Sequence, residues 1–308
     1  MSEGDIGLWG VPLAILGGAI RVSTPFLFVS VGECLTERAG RINLGLEGTL
    51  VFGAMAGYAV ACESGSAWAG VAAAALAGAV FGLVHGCICS LPRVNDIAIG
   101  IALMLLGVGL AFFFGKPYIQ PVAPDLPAIP FGWWSDLPQV RAALQVNVLF
   151  LAGAVVAFLL WWAFCNTRAG LIVRVVGDST DAARAMGLRP NRVRVAATAV
   201  GGALAGVGGA YLSLYYPGSW NEGISSGQGL MAVALVIFAR WNPLACFGAA
   251  LLFGGAGALG PALQSVGVSQ GYYLFYAAPY VLTLGVLIAT SSPSRALTGA
   301  PGELSITK

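Results

Sequence analysis

The sequence predicts an all-α, polytopic integral membrane fold, and three observations carry that prediction. Of its 308 residues, 58% are hydrophobic and 9% are charged, whereas a soluble domain carries about 25% charged residues. Lipid is the solvent such a composition needs. The apolar residues gather into runs near the length that spans a bilayer, about 20 residues. The charges gather between the runs. Runs of about 20 residues give room for about nine spans, with eight to ten as the range, in a single transmembrane domain over residues 1–308.

Composition also limits the chemistry. The net charge of +2 is too small to suggest nucleic-acid binding. The six cysteines, Cys34, Cys62, Cys87, Cys89, Cys165 and Cys246, sit mostly in apolar runs and read as small buried hydrophobes. Cys87-Ile88-Cys89 is too tight for a C-x-x-C site, and His85 is the one histidine, so no metal or cofactor site is expected. No G-x-x-x-x-G-K-[ST] phosphate loop is present and no Ser/His/Asp arrangement can be assembled, so the chain itself is not expected to be an enzyme.

In chain order, residues 1–9 carry Glu3 and Asp5 but lack the basic start of a secretory signal. The first apolar run covers about residues 8–31 and contains Arg21 and Pro25. A charge inside a span is costly, so Arg21 either snorkels or marks a shorter helix. Residues 32–48 follow, with five charges and glycines at 32, 40, 45 and 48. Glycines interleaved with Asn and Glu beside a span suggest an unwound helix, which survives at membrane depth only against protein or a water-filled cavity. A plain cytoplasmic loop is the alternative, and Arg38 and Arg41 suit it. Residues 49–61 and 67–90 are Ala- and Gly-rich spans that can pack closely. Residues 91–96 turn, and residues 97–114 form the next span. The longest polar connection is 116–141, with Trp133-Trp134 suited to an interfacial anchor and a short surface helix expected near 135–140. A span follows at 146–164.

Residues 166–213 organise the chain. Six of the fifteen basic residues fall there: Arg168, Arg174, Arg184, Arg189, Arg192 and Arg194. An Arg-rich island between two spans belongs on the cytoplasmic side. Within it, residues 180–185 form a short helix that Asp178 or Ser179 can cap. Gly187 ends it through a left-handed backbone, and Pro190 is expected to prevent its resumption. The span at 195–213 repeats small residues every four positions, Gly201-Ala205-Gly209 and Gly202-Gly206-Ala210, giving two faces for close neighbours. Residues 215–229 form a second glycine- and Asn-containing break. Spans at 230–239, 244–263 and 270–289 and a polar tail from 291 complete the chain.

With nine spans and the tail inside, Arg38, Arg41, Arg93, the six of the island, Arg240, Arg295 and Lys308 lie inside. Only Lys116 and Arg141 then lie outside, which fixes the orientation.

Two stretches carry a family resemblance. Residues 32–48, Gly-Glu-Cys-Leu-Thr-Glu-Arg-Ala-Gly-Arg-Ile-Asn-Leu-Gly-Leu-Glu-Gly, resemble the G-E-x-x-x-E-R-x-G-x-x-N-L-G-x-E-G signature of the nucleoside and simple-sugar branch of ABC importer permeases. Asp181-Ala182-Ala183-Arg184-Ala185-Met186-Gly187 resembles the EAA-x-x-x-G loop of the same importers, with Asp in the Glu position. Phe238 to Pro243 adds a similar F-x-R-W-N-P pattern. The resemblance implies import across a bacterial-type cytoplasmic (inner) membrane by alternating access. It further implies a second permease, identical or related, two ATP-binding subunits that hydrolyse the ATP, and an external substrate-binding protein. Asp181, Ala182, Ala183, Arg184 and Gly187 would form the coupling helix; an ordinary basic loop that only sets topology is the alternative. Asn43, Glu47, Asn221 and Gln228, in the two polar breaks, are the candidate substrate path, since interrupted segments in opposite halves of a transporter point to its site. Alternatively, Asn43 and Glu47 merely cap the helix beginning near Gly48. A secondary transporter or channel for small polar solutes is the rival function. It needs ionisable groups in spans, for which Arg21, Glu47, His85 and Asp96 are the candidates.

Overall fold

The computed structural model describes residues 10–119, 121–265, 275, 277–290 and 299–305. The expectation for residues 1–9, and parts of those for the last span and the tail, lie outside the described residues. The described elements are α1 (Gly10–Arg38), α2 (Leu46–Ser64), α3 (Ala67–Ile88), α4 (Asp96–Gly115), β1 (Ala128–Pro130), α5 (Pro138–Ala143), β2 (Gln145–Asn147), α6 (Val148–Asn166), α7 (Arg168–Asp178), α8 (Thr180–Ala185), α9 (Pro190–Leu214), α10 (Gln228–Phe238), α11 (Pro243–Ser265), α12 (Ala278–Thr290) and α13 (Gly302–Ser305). Among the described residues, six helices are long and apolar enough to cross a membrane: Val11–Arg38, Ala67–Ile88, Asp96–Tyr118, Val148–Asn166, Pro190–Leu214 and Pro243–Gln264.

Helices α1 and α9 form the centre of the bundle. In each, 61% of the apolar window is buried, against 22% in α4 and 28% in α6. The last two turn Leu105, Phe113, Leu159 and Trp162 outward, as lipid-facing helices do. The reason α9 can sit centrally is its small residues. Gly202 and Gly206 lie against the backbone of α3 at Gly78, Gly82 and Ala74. Gly201 meets Gly32 and Thr36 of α1, and Gly209 meets Leu50 and Ala54 of α2. A Cβ at Gly202, Gly206 or Gly209 would overlap those backbones. The two faces anticipated on this span thus meet three different neighbours.

Several expectations are corrected. Helix α1 does not stop near residue 31; it runs unbroken through Pro25 to Arg38. Gly32 is a contact glycine facing α9, not a point of unwinding. Only residues 39–45 leave the helix, with Gly40 in the left-handed region at φ +82°. Pro190 does not keep the chain from resuming a helix. It is the first residue of α9, where a missing N–H costs nothing. The polar stretch after α6 is an additional helix, α7, capped by Thr167, whose Oγ1 accepts from Gly170 N–H at 3.1 Å. The surface helix in the 116–141 connection is α5, at Pro138–Ala143. The all-α expectation also misses a two-stranded antiparallel sheet, in which β1 pairs with β2 through Ala128↔Asn147 and Pro130↔Gln145.

Candidate functional site: two joined breaks and a supported short helix

The basic residues converge at one end of the bundle. Arg38 Nε donates to Trp241 O at 2.8 Å, tying the end of α1 to the turn between α10 and α11. Arg41 pairs with Asp96 at 2.7 Å and donates to Cys89 O, tying the segment after α1 to both ends of the α3–α4 turn. Arg194, buried near the start of α9, donates to Ala39 O at 3.1 Å, to Val176 O at 3.3 Å and to Thr180 Oγ1 at 2.9 Å. Lys116 and Arg141 lie at the opposite end with β1, β2 and α5.

At the basic end, α8 stands out from the bundle. Ser179, not Asp178, caps it, its Oγ accepting from Ala182 N–H at 3.2 Å. Gly187 closes it at φ +75°, with Leu188 N–H donating to Ala183 O at 3.0 Å. Ala183 faces the protein and is fully buried; Asp181, Ala182, Arg184 and Gly187 are exposed. Asp181 and Arg184 form an exposed pair at 3.4 Å, an interaction of little energetic weight. Sequence reasoning missed two parts of this region. Met186, 63% exposed, puts a large apolar side chain on the outward turn. Glu303 of α13 reaches back from the far end of the chain. Its Oε1 accepts Thr180 N–H at 2.8 Å, and Oε2 lies 3.4 Å from Arg194 Nη2. Burial pushes the Glu303 carboxyl up, but the Thr180 hydrogen bonds and the Arg194 charge outweigh it and hold it below the usual carboxylate range. No local pattern announces a contact between positions 180 and 303.

Deeper in the bundle the two polar breaks meet. Glu47, on the first turn of α2, is 8% exposed. Ser225 Oγ donates to its Oε1 at 2.5 Å, Gly227 N–H to the same oxygen at 3.1 Å, and Gly229 N–H to Oε2 at 2.7 Å. It therefore caps α10, not its own helix, its carboxyl oxygens taking two of the N–H groups that open that helix. Asn43 is buried behind it; its Oδ1 accepts from Gly45 N–H at 2.9 Å, and its own N–H donates to Glu33 Oε1 at 2.7 Å. Gln228 opens α10, and its Oε1 is buried without a hydrogen-bond partner. Asn221 lies apart in the exposed loop, accepting from Gly223 N–H at 3.1 Å. Two buried carboxylates, Glu33 and Glu37, lie one turn apart on α1, and Trp241 Nε1 donates to Glu37 Oε2. The glutamates of the 32–48 stretch thus point inward, toward its own loop and toward α10 and the turn after it.

A bundle of apolar helices with small-residue contacts, polar breaks joined at depth and a short helix held outside one end defines a multi-pass membrane permease. The chain belongs to the family described as branched-chain amino acid transport system, permease component, which matches residues 15–291. It is 33% identical over 264 residues to a putative glucose ABC transporter permease protein of Haloferax volcanii, covering 83% of this chain and 79% of that one. It is 30% identical over 289 residues to a nucleoside ABC transporter permease protein of Lactococcus lactis, covering 89% and 90%. A guanosine ABC transporter permease protein of Bacillus subtilis is 26% identical over 289 residues, with 88% and 89% covered. The family and the apolar helices make this a multi-pass protein of the cytoplasmic membrane.

Proposed function

We propose that the chain is the membrane subunit of an ATP-driven importer that carries a nucleoside or a simple sugar into the cytoplasm. The observation that carries this reading is α8. It is a capped, glycine-terminated helix that exposes Asp181, Ala182, Arg184 and Met186 and is braced from behind by Arg194 and Glu303. A membrane protein needs such an element where a partner pushes on it. In this reading the basic end is cytoplasmic, about nine spans cross the bilayer, α8 is the coupling helix, and two ATP-binding subunits dock on it. A second permease and an external binding protein complete the assembly. The relatives' named cargoes, glucose, nucleosides and guanosine, support the substrate class.

Glu47, Asn43 and Gln228 form the inner part of the substrate path, and Asn221 lies toward its outer mouth. Closure of the ATP-binding partners moves α8, and the close α9 contacts with α1, α2 and α3 carry that motion to the joined breaks. The buried Glu33–Glu37 pair is the feature that suits the rival, an ion-coupled secondary transporter. Affinity purification of the tagged chain from its host membrane separates the two. An ATP-binding subunit co-purifies with the wild-type chain and is lost when Asp181, Arg184 and Met186 are all changed to Ala. Uptake that needs a proton gradient but no ATPase overturns the reading.

A further inference from the structure

A cavity of about 330 Å³ lies between α1, the 215–227 connection, α10, α11 and α12. It falls within the size range of small-molecule sites. Its hydrogen-bonding groups cluster at one end. Ser226 and Gln228 flank the start of α10, and Tyr280 Oη of α12 donates to Ser226 O at 3.2 Å. Ser226 Oγ donates to Gly223 O at 3.1 Å. Both hydroxyl protons are therefore committed, and these groups offer acceptor lone pairs. Gln228 Oε1 is an acceptor as well, buried and unpartnered, and the same amide carries the N–H donors of this end. A buried oxygen left without a donor is costly, and nearly all such groups in native proteins are satisfied. The remaining wall is mainly apolar, with Phe26, Met231 and the ring of Tyr216, whose hydroxyl is its polar point. Among the described residues no charged side chain lines the cavity.

An end rich in acceptors calls for a ligand whose hydroxyls sit together. The apolar wall calls for a flat, uncharged body. A hexose distributes its hydroxyls around the ring, so the Phe26–Met231 side would leave some of them without partners. A nucleotide adds a phosphate that meets acceptors and no cation. A nucleoside meets both demands. Its ribose hydroxyls donate to the polar end, and its base lies against rings, with the polar edge toward exposed Pro217 at the rim. We propose that this cavity binds a nucleoside, with Gln228 Oε1 accepting from a ribose hydroxyl. Glu47 acts here as a positioning residue, because it fixes the backbone of Gly227 and Gly229 on either side of Gln228. The proposal rests on the permease reading and selects between its two substrate classes.

The test is thiol protection in membrane vesicles holding the complete assembly. Cys62, Cys87 and Cys165 are changed to Ser, and Met231→Cys supplies a reporter in the cavity wall. Inosine at about ten times its Kd is expected to slow maleimide labelling about tenfold, as occupancy arithmetic requires. D-Glucose, D-ribose and inosine monophosphate are expected to leave it unchanged. Gln228→Leu, which keeps the volume and removes the acceptor, is expected to abolish protection. If that variant fails to assemble, the ligand ranking in the Met231→Cys protein alone decides. Protection by a hexose in preference to inosine overturns the proposal, as does no protection in vesicles that import inosine; the permease reading then stands. Vesicles that import neither class with ATP overturn both readings together.

Discussion

A carboxylate at position 47 receives donors from Ser225 Oγ, Gly227 N–H and Gly229 N–H, residues almost 180 positions away. Hydrogen bonds to a charged group contribute about 1.5–3 kcal/mol each and are not additive. Glu47→Ala, which strands the buried Gly229 N–H and the half-buried Gly227 N–H, is therefore expected to destabilise the permease by about 3 kcal/mol. Glu47→Gln keeps the shape but turns one acceptor into a donor, setting N–H against N–H at Gly227 or Gly229. Both variants are expected to lower the thermal transition of the purified assembly, Glu47→Ala more than Glu47→Gln. An unchanged transition in Glu47→Ala would show that the joint contributes nothing. The sequence marked Glu47 because it lies in one of two glycine-punctuated polar breaks in opposite halves of the chain. It could not show the partner, since capping another helix leaves no local spacing to read. Ser179 is the opposite case. Cap, helix and Gly187 lie within nine positions, so local chemistry specified that end.

Between elements, what was legible divides along the same line. Runs of apolar residues located α3, α4, α6, α9 and α11 to within a few residues, because lipid burial acts on composition directly. The glycines of residues 32–48 were misread because a glycine that unwinds a helix and one that admits a neighbour look alike. Gly32 does the second, against Gly201. Helix α7 was missed because Arg168 and Arg174 made the stretch resemble a polar loop, while Gly177 packs unseen on Arg38. The contact between α13 and α8 depends on the ionised Glu303. Its carboxyl titrates lower in the folded protein than in the unfolded chain. The contribution of this contact is therefore fully present above the ordinary carboxylate value of about 4.3 and is lost as pH falls through the lower folded value. The protection factor of Thr180 N–H, taken against the intrinsic exchange rate at each pH, is expected to hold from neutral pH to about 4.3 and to fall as pH drops through the lower folded value of Glu303. In Glu303→Gln protection is expected to be weaker at neutral pH and nearly flat with pH. Wild-type protection that falls between neutral pH and 5 would contradict this sign.

Taken whole, the molecule places its two candidate functional regions at different depths along one set of central helices. The Arg-rich end carries α8 outside the bundle, and the Glu47 joint lies within it. Helix α9 connects them. Its start is pinned by Arg194 to the residue behind α1 and to Thr180 of α8, and its middle is in close backbone contact with α1, α2 and α3. Close contacts of this kind transmit displacement because there is no side chain between the helices to yield. In the coupling role proposed for it, α8 has to keep its shape under load, and Gly187 closes the helix at φ +75°. At φ +75° with no atom within 4 Å of a Cβ there, the position excludes large residues by backbone conformation and not by crowding. A β-branched residue in that conformation costs about 1–3 kcal/mol, enough to refold the exposed turn but too little to block insertion of the apolar helices. Gly187→Val is expected to reach the membrane at wild-type levels and to lose transport-linked ATP hydrolysis by the assembly. Gly187→Asn is expected to retain most of it, because Asn tolerates the left-handed region. Comparing substrate-stimulated hydrolysis in the two variants, at matched membrane content, separates backbone shape from side-chain bulk. Full stimulation in Gly187→Val would remove α8 from the coupling path, and equal loss in both would assign the effect to bulk at the docking surface.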